Sequence, residues 1–450
     1  GNTHDNVADA YATTPVWPNV NSTRDASQID DLYHAAVNGR GEMYSADSPA
    51  ELKDALGSAL QSIAAVVGSG SGVTFNSSSL RSTDGSAVYT TSFNSGDWSG
   101  NVKAKLLNST SGAVEGDAWG DGEGNSGVAA LLDAQENDAR IIFTMGENDT
   151  GDAEGVVFEY DNLTATQKTD LKTNADGTIG NDANGESRVA YIRGFFDADS
   201  IQVPDGSGGT RTEPLRNRSS RLGDVVHSTP LFVGKPASTW PNRGYFGSEG
   251  KRYTNFVSGN ASSREPMLYV GANDGMLHGF NATLSGADAG QEAFAYVPGA
   301  AYSSEAKAGL HYLSDPNYAH RYYADLTPVA QDVFIVTDPD DFGNSSTDSD
   351  RDEKRNWTTV LVGGMRTGGR GIFALDVTDP NDYTNSAIEA EDTVLWEFTN
   401  AHSDDMGYLD EGVSIAMLND QKWAVIFGNG YNSENGEAGV FILYVEEGID

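Results

Sequence analysis

The spacing of apolar residues changes once along the chain, near residue 68. Before that point, apolar residues recur every three or four positions, as on one face of an α-helix. Ser48 is a preferred N-cap, Pro49 suits the first helical position, and Glu51 completes a capping box. The pattern predicts a helix from Pro49 to Val67, after a shorter amphipathic helix over residues 25–37.

Beyond a glycine-serine stretch at 68–72, which predicts a flexible linker, apolar and polar residues alternate. Alternation with a period of two predicts strands, because neighbouring side chains of a strand point to opposite faces of its sheet. The predicted strands are 73–75, 87–93, 102–107, 140–144, 156–160 and 190–196. The acidic, glycine-rich stretches 115–125, 146–155 and 174–186 predict surface loops between them.

From residue 214 onward the chain contains a loose internal repeat. Each unit has a strand, a turn rich in glycine and asparagine, and at least one further strand. Three units begin with the strands 267–271, 360–364 and 424–428. One such unit cannot bury both faces of its sheet, so the repetition predicts the blades of a β-propeller. Three or four blades would not close a ring comfortably. We therefore expect either that further blades follow residue 450 or that missing blades lie upstream.

The predicted fold class is mainly β. We expect a partial or modified β-propeller over residues 214–450, preceded by a β-rich intermediate region over 68–213 with acidic loops. A short N-terminal helical segment over 1–67 precedes both. The turns 273–275 and 428–430 are predicted to be hairpin turns, where asparagine and glycine tolerate positive φ.

Composition narrows the choice of partners and chemistry. The 450 residues include 66 acidic and 28 basic side chains, which gives a formal net charge of −38. Such a charge argues against nucleic acid and anionic membranes, whose phosphates are bound by basic side chains. The absence of cysteine excludes disulfides, thiolate metal sites and cysteine nucleophiles. No apolar run approaches the ~18 residues of a membrane span, so we expect a soluble chain.

Asp224, His227 and Ser228 resemble a catalytic triad in residue type alone. Adjacent residues on a strand face opposite sides, so His227 and Ser228 are poorly placed to share a proton. We expect Asp224 and His227 to connect loops of different blades instead. The chain also lacks Gly-x-Ser-x-Gly, His-Glu-x-x-His and a Walker loop, and we predict that it is not an enzyme.

The candidate metal ligands are Asp348, Asp350 and Asp352, whose spacing is that of the first half of a calcium loop. Against an EF-hand, Glu353 stands at the position of the usual glycine and Thr359 at that of the usual glutamate. The alternative interpretation is a solvated acidic insertion. Around Gly177, three further residues make a weaker candidate: Asn174, Asp176 and Asp182.

The middle of the propeller region is rich in aromatic residues. We expect them to pack in the core or close blades, although exposed rings on propeller loops would suit an adhesive patch. The residues are Trp240, Tyr245, Tyr302, Tyr312, Tyr318, Tyr322 and Tyr323.

Four segments of the repeat region, 221–230, 269–278, 368–377 and 427–433, together resemble the PilC/PilY family of type IV pilus tip and biogenesis proteins. Upstream, 29–38 and 49–64 resemble the family's join after its von Willebrand A-like domain, so 1–67 would be the helical tail of that domain. Segments 98–100 and 188–194 match the stretch between. The resemblance therefore covers most of the chain.

The resemblance implies a modified propeller at the bacterial cell surface, outside the cell. Members of the family act in pilus assembly and extension, sit with minor pilins at the pilus tip, and in some cases adhere to a host or abiotic surface under the control of calcium. The Asp-x-Ser-x-Ser metal loop of an A-type domain is absent from this chain, and the family's calcium loop lies downstream of its last matching segment. Calcium regulation is therefore not carried over by residue.

Two other functions compete with a pilus protein. Residues 373–376 and 395–398 also resemble the blade pattern of quinoprotein dehydrogenases, which would reduce a dye when quinone is added. A passive surface spacer is the other alternative, and its deletion would leave piliation and attachment unchanged. Shared fold alone does not assign chemistry, so activity has to separate them.

Calorimetry tests the calcium hypothesis directly. If Asp348 and Asp350 ligate calcium, titration of the purified protein should release or absorb heat. The double variant Asp348→Ala, Asp350→Ala should abolish that heat. A parent protein that gives no heat with calcium would end the hypothesis.

Overall fold

Small antiparallel sheets make up most of this structure, which is a computed structural model. It describes residues 67–69, 72–76, 85–120, 126–136, 139–195, 200–242, 249–337, 354–380, 383–410 and 412–446, with 67–69 described by their backbone alone. The helices predicted before Val67 lie outside these residues. In the described part of the chain, no helix is both long enough and apolar enough to cross a membrane.

The strands are β1 (Val67–Ser69), β2 (Thr74–Phe75), β3 (Ser86–Asn94), β4 (Ser99–Leu107), β5 (Val114–Asp117), β6 (Ile142–Glu147), β7 (Ala153–Val157), β8 (Ser200–Pro204), β9 (Thr210–Pro214), β10 (Leu231–Val233), β11 (Met267–Gly271), β12 (Leu277–Asn281), β13 (Glu292–Val297), β14 (Val329–Ile335), β15 (Asn356–Gly364), β16 (Gly371–Asp376), β17 (Val394–Thr399), β18 (Ser414–Met417), β19 (Trp423–Gly428) and β20 (Val440–Tyr444).

The α-helices are α1 (Val128–Ala134), α2 (Ala165–Lys172), α3 (Asp182–Arg193), α4 (Tyr253–Ser258), α5 (Gly309–Leu313) and α6 (Ala387–Thr393). Short 3-10 helices lie at Tyr160–Asn162, Glu249–Lys251, Asn260–Ser263, Gly299–Ala301 and Arg366–Gly368.

Within the described residues, four sheets have the order of propeller blades. They run β2-β3-β4-β5, β10-β11-β12-β13, β14-β15-β16-β17 and β18-β19-β20, each antiparallel between neighbours. The first strands contact one another in sequence: β2 with β10, β10 with β14, and β14 with β18. First strands that meet while later strands lie farther out are the radial arrangement of a propeller. The mainly β, partial-propeller prediction is confirmed.

Blades pack face to face through large apolar side chains. Between the second and third blades, the rings of Tyr296 and Phe373 lie 4.9 Å apart, and Phe373 is 1% exposed. Between the third and fourth, the rings of Trp357 and Trp423 lie 6.4 Å apart. The first blade reaches the second through Tyr89, whose hydroxyl donates to the carbonyl oxygen of Ala282 over 3.1 Å. Each blade thus buries a face that it could not bury alone.

The first of these blades lies upstream of residue 214. Its strands β2–β5 come from the intermediate region, so one blade expected there is present. The second sheet is also widened by that region, because β6 pairs in parallel with β13 and β7 pairs with β6. The division at residues 67 and 213 stays a prediction, although strands from both sides of 213 share this sheet.

Helix α3 corrects two sequence expectations, the strand 190–196 and the surface loop 174–186. The Asn181 side chain accepts a hydrogen bond from the Asn184 backbone N–H over 3.0 Å, which caps the helix start. Gly194, at φ 97°, ends it and donates to the carbonyl oxygens of Ala190 and Tyr191. The alternation in 190–196 therefore belongs to a helix whose caps outweigh its β-branched residues.

The linker predicted at 68–72 is also wrong in part, because Val67–Ser69 forms β1. Strand β1 pairs antiparallel with Ser92–Asn94 of β3. On the same side of β3, β2 pairs with the earlier residues Val88 and Tyr89. The backbone groups of β3 would otherwise lack partners along that half of the strand.

Of the two predicted hairpin turns, only one is tight. Residues 273–275 join β11 to β12, and Gly275 adopts φ 100°. Residues 428–430 instead open a loop that reaches β20 only at Val440. The Asn429 side chain holds this loop by donating to the carbonyl oxygens of Asp405 and Glu437 over 2.9 and 2.8 Å.

Phe373→Ala tests the packing between blades. Removing the ring from this buried site should lower the free energy of unfolding by about 3–5 kcal/mol, since it leaves a cavity between two sheets. Urea denaturation measures the change. Ile388→Ala is the control: Ile388 is 72% exposed on α6, and its loss should change stability by no more than about 0.5 kcal/mol. Equal effects of the two substitutions would contradict face-to-face packing of the blades.

Candidate functional site

The segment 221–230, which we call the crossing segment, connects three blades before it enters β10. At the first blade, Gly100 donates from its backbone N–H to the Leu222 carbonyl oxygen over 3.0 Å. At the second, Asn273 donates in the same way to Asp224 over 3.0 Å. At the entry to the third, the Thr229 backbone N–H donates to the Thr327 hydroxyl over 3.0 Å. The crossing segment therefore sets the relative positions of these blade ends.

Two glycines allow this close approach of backbones. A Cβ on Gly100 would overlap the carbonyl oxygen of Gly223, and a Cβ on Gly271 would overlap that of Ala324. Glycine is required at both positions because the neighbouring backbone occupies the space of a side chain.

His227 and Ser228 bond to different partners, as expected, but they lie in the loop before β10 and not on a strand. The His227 ring and its backbone N–H both bond to the Asp325 carboxylate. The Ser228 hydroxyl donates to the Leu326 carbonyl oxygen over 3.2 Å and accepts from the Gly271 N–H over 2.9 Å. Asp224 bonds to His320 and Asn273 over 2.7 and 2.8 Å. The predicted role of Asp224 and His227 in connecting loops is confirmed.

A buried chain of charges lies directly beneath the crossing segment. Arg140 binds both oxygens of Glu292 over 2.6 and 2.8 Å, and Glu292 contacts His278 Nδ1 at 2.7 Å. His278 Nε2 lies 3.1 Å from both carboxylate oxygens of Asp274. Asp274 then accepts a hydrogen bond of 2.7 Å from the Gly223 N–H of the crossing segment. This ionic chain therefore joins the second blade to the crossing segment.

The alternating charges of this chain stabilise one another. Burial alone lowers the pKa of His278, but the carboxylates of Asp274 and Glu292 outweigh burial and raise it to about 9. Burial alone raises the pKa of Glu292, whereas Arg140 and His278 lower it to about 2. All four groups are therefore charged at neutral pH, and each is paired, as buried charges must be.

Aromatic and basic side chains cluster beside the crossing segment, where the side chains of His320 and Arg366 are 14% and 16% exposed. The Trp98 and His320 rings lie 3.9 Å apart, and Tyr322 lies 5.0 Å from His320 and 5.2 Å from His227. The His227 side chain is 36% exposed. Arg366, on the β15–β16 hairpin, binds Asp410 over 2.6 Å next to this group. We call the five residues Trp98, His227, His320, Tyr322 and Arg366 the hairpin face.

Two residues of the hairpin face, Trp98 and Arg366, have a strained backbone. Among the described residues, four non-glycine residues have positive φ, and three of them lie in loops between the second and third strands of a blade. These are Trp98 at 60°, Arg366 at 50° and Asn432 at 57°. Such conformations cost of order 1–3 kcal/mol and persist where the surroundings impose them, often at binding sites.

The sequence-predicted metal ligands are not brought together in what the structure describes. Asp348, Asp350 and Asp352 lie outside the described residues. The weaker candidate stays a prediction, and its side chains have other partners here: Asp176 binds Thr178, Asp182 binds Tyr160 and Lys172, and Asn174 binds Arg188. Their oxygens have separate partners, and the described residues contain no group of three or more acidic or histidine side chains placed to hold a metal ion.

The aromatic residues are divided between core and surface. Tyr312 and Tyr323 are 4% and 3% exposed, and Tyr302 and Tyr318 pack against the same apolar cluster. Tyr322 instead joins the hairpin face, while Tyr245 lies outside the described residues.

Sequence reasoning missed the ionic chain and the role of Trp98. Charged residues beside or within apolar runs were the available signal for the first, since His278 interrupts one apolar run and Glu292 directly precedes another. No sequence pattern could indicate the contact of Trp98 with His320, because it forms only when the crossing segment brings the blades together.

Comparison with known proteins identifies the family. The PilY1 beta-propeller domain family matches residues 222–449, more than half of the chain. This chain belongs to that family. The matched range begins within the crossing segment and includes the second, third and fourth blades.

Relatives match over most of this chain. The "Type IV pilus biogenesis factor PilY1" of Pseudomonas aeruginosa strain PAO1 is 33% identical over 98% of this chain and 34% of its own length. A "Type IV pilus biogenesis factor PilY1 homolog" of Xylella fastidiosa is 30% identical over 88% of this chain and 25% of its own. The chain thus spans about a third or less of these relatives.

One solved structure is also similar. The crystal structure of the Pseudomonas aeruginosa PilY1 C-terminal domain is 33% identical, covers 48% of this chain and 35% of its own, and gives a TM-score of 0.33.

The raised pKa of His278 predicts a loss of stability at alkaline pH. The folded-state pKa of about 9 exceeds the ordinary value of 6.5. The stability from the charged ring is therefore complete below about pH 6.5 and disappears as the pH rises through 9. The loss should be on the order of 3 kcal/mol. Urea denaturation at a series of pH values measures it.

His278→Gln should flatten the stability profile between pH 6.5 and 9, since the titrating group is gone. His402→Gln is the matched control: the pKa of His402 is lowered by burial, so its loss should leave the alkaline limb unchanged. An unchanged alkaline limb in His278→Gln would contradict the charged state of this ring.

Proposed function

We propose that this chain is the propeller portion of a type IV pilus biogenesis factor that works outside the bacterial cell. The family match and the function for which the relatives are named support this proposal. The work is assembly and extension of the pilus, with adhesion to a host or abiotic surface as a second role. The propeller supplies a rigid scaffold for these contacts.

The partner that we propose for the hairpin face is a minor pilin at the pilus tip. The ring group formed by Trp98, His320, Tyr322 and His227 is the observation that carries the proposal. Tryptophan, tyrosine and arginine dominate the energetics of protein interfaces because they bury large rigid surfaces and retain a polar group. The hairpin face combines all three residue types on loops held by three blades.

The rigidity of the hairpin face supports a binding role. Its rings stand on backbone that is held by hydrogen bonds from the crossing segment, and Asp224 and Asp325 orient the two histidines. Side chains that are already ordered lose little conformational entropy on binding.

We further propose that the chain has no catalytic activity. The segments that resemble a dehydrogenase fall in β16 and β17, where Phe373, Ala374 and Leu375 are at most 1% exposed. Their pattern is explained by packing between blades, without a bound quinone. Calcium binding by Asp348, Asp350 and Asp352 remains a proposal that calorimetry tests.

Binding to minor pilins tests the role of the hairpin face. The double variant Trp98→Ala, Tyr322→Ala should bind immobilised minor pilins of the same organism at least about ten-fold more weakly, as expected when interface hot spots are truncated. Surface plasmon resonance measures the dissociation constants.

Ile388→Ala is the matched control for that measurement. Ile388 is 72% exposed and lies on α6, in the connection from β16 to β17. This connection leaves β16 at the end opposite to the β15–β16 hairpin. This variant should bind like the parent. A folded double variant with unchanged affinity would overturn the proposed site, and a parent that binds no pilin would overturn the proposed partner.

A further inference from the structure

Among the described residues, the partly buried Arg218 has no acidic partner for its guanidinium. Its Nη2 donates to the Tyr191 carbonyl oxygen, and its guanidinium carbon lies 4.3 Å from the centre of the Tyr191 ring. Its Nε is buried and has no hydrogen-bond partner in the part of the chain that the structure describes. A buried N–H donor on a charged group costs free energy when it has no acceptor. A bound ligand that accepts a hydrogen bond from Arg218 Nε would remove this cost.

The wall of a small cavity contains this guanidinium. The cavity offers about 20 Å³ to the centre of a water-sized sphere, enough for one water molecule or one ion of similar size. Its wall includes Trp98, Arg216, Arg218, Arg221, Asp224 and Asp274. The cavity therefore lies between the ionic chain and the hairpin face.

Positive charge in this wall is incompletely paired. Arg216 donates to the Asp97 carbonyl oxygen over 2.5 Å and lies 4.2 Å from the Tyr318 ring centre. Among the described residues, no carboxylate oxygen comes within 4.0 Å of the nitrogens of Arg216 or Arg218. The two aspartates of the wall already have partners, since Asp274 binds His278 and Gly223, and Asp224 binds His320 and Asn273.

Burial and the neighbouring arginines act on the pKa of Arg218 in the same direction. Burial lowers its pKa, and Arg140 and Arg216 lower it further, while Tyr191 and Asp274 act in the opposite direction and do not compensate. A negative ion in the cavity would relieve this crowding of positive charge.

We propose that the cavity binds one small monovalent anion with the size and charge of chloride, held by Arg218 with Arg216 beside it. The bound ion completes the hydrogen bonding of Arg218 Nε and stabilises the crossing segment at Trp98.

Unfolding in chloride measures this binding. Urea denaturation is run in sodium chloride and in sodium gluconate at equal ionic strength, because gluconate is too large for the cavity. When chloride exceeds its dissociation constant ten-fold, the unfolding equilibrium constant should fall roughly ten-fold. Arg218→Gln should remove this difference. Arg211→Gln should retain it, since Arg211 is a 59% exposed side chain paired with Glu213. Equal stability of the parent in the two salts, or an equal chloride effect in Arg218→Gln, would overturn the proposal.

Bromide locates the ion in the unaltered protein. Crystals soaked in sodium bromide should show an anomalous difference peak beside Arg218 Nε. A cavity that contains only water, without such a peak, would overturn the site even if Arg218→Gln failed to fold.

Discussion

The contact between Asp274 and the backbone N–H of Gly223 is the interaction on which the arrangement of this end of the propeller depends. Asp274 holds the crossing segment with one carboxylate oxygen while both oxygens face His278. Through His278, Glu292 and Arg140, the same contact continues into the second blade and the helical region outside it, where Arg140 donates to the Arg193 carbonyl oxygen over 2.9 Å. Removing one partner of such a chain leaves a buried charge unpaired, which typically costs about 3–5 kcal/mol.

The positions of the hairpin-face residues depend on this ionic chain, because it holds the crossing segment in place. The crossing segment brings Trp98 of the first blade to His320, which precedes the third blade, although 222 positions separate them along the chain. Trp98 could not hold this position on an isolated hairpin, because a hairpin has too few neighbours to fix a left-handed tryptophan. Blade packing supplies the rigid base, the crossing segment sets the geometry, and the rings provide the contact area.

The repeating part of the fold was predictable because its signals are local. Glycine-rich turns between apolar runs indicated β11–β12, β15–β16 and the strands beside them. Because a single small sheet cannot bury both of its faces, the packing of sheets against one another could be predicted as well. The first blade was harder to recognise since its strands precede a long insertion. Helix α3 was missed because Val189 and Ile192 are β-branched, like many strand residues. The helix is specified instead by its caps, Asn181 and Gly194. The same limit applies to the site: Asp224 and His227 were correctly expected to connect loops, but contacts such as Trp98 with His320 depend on the assembled blades.

Hydrogen–deuterium exchange with and without minor pilins tests the central claim most directly, because it reports where a partner covers an unmodified propeller. The account predicts slower exchange in the hairpin-face peptides 95–98, 318–323 and 366–370, with no change in the α6 peptide 387–393. Protection confined to α6, or an absence of protection in all three hairpin peptides when pilin is bound, would contradict it.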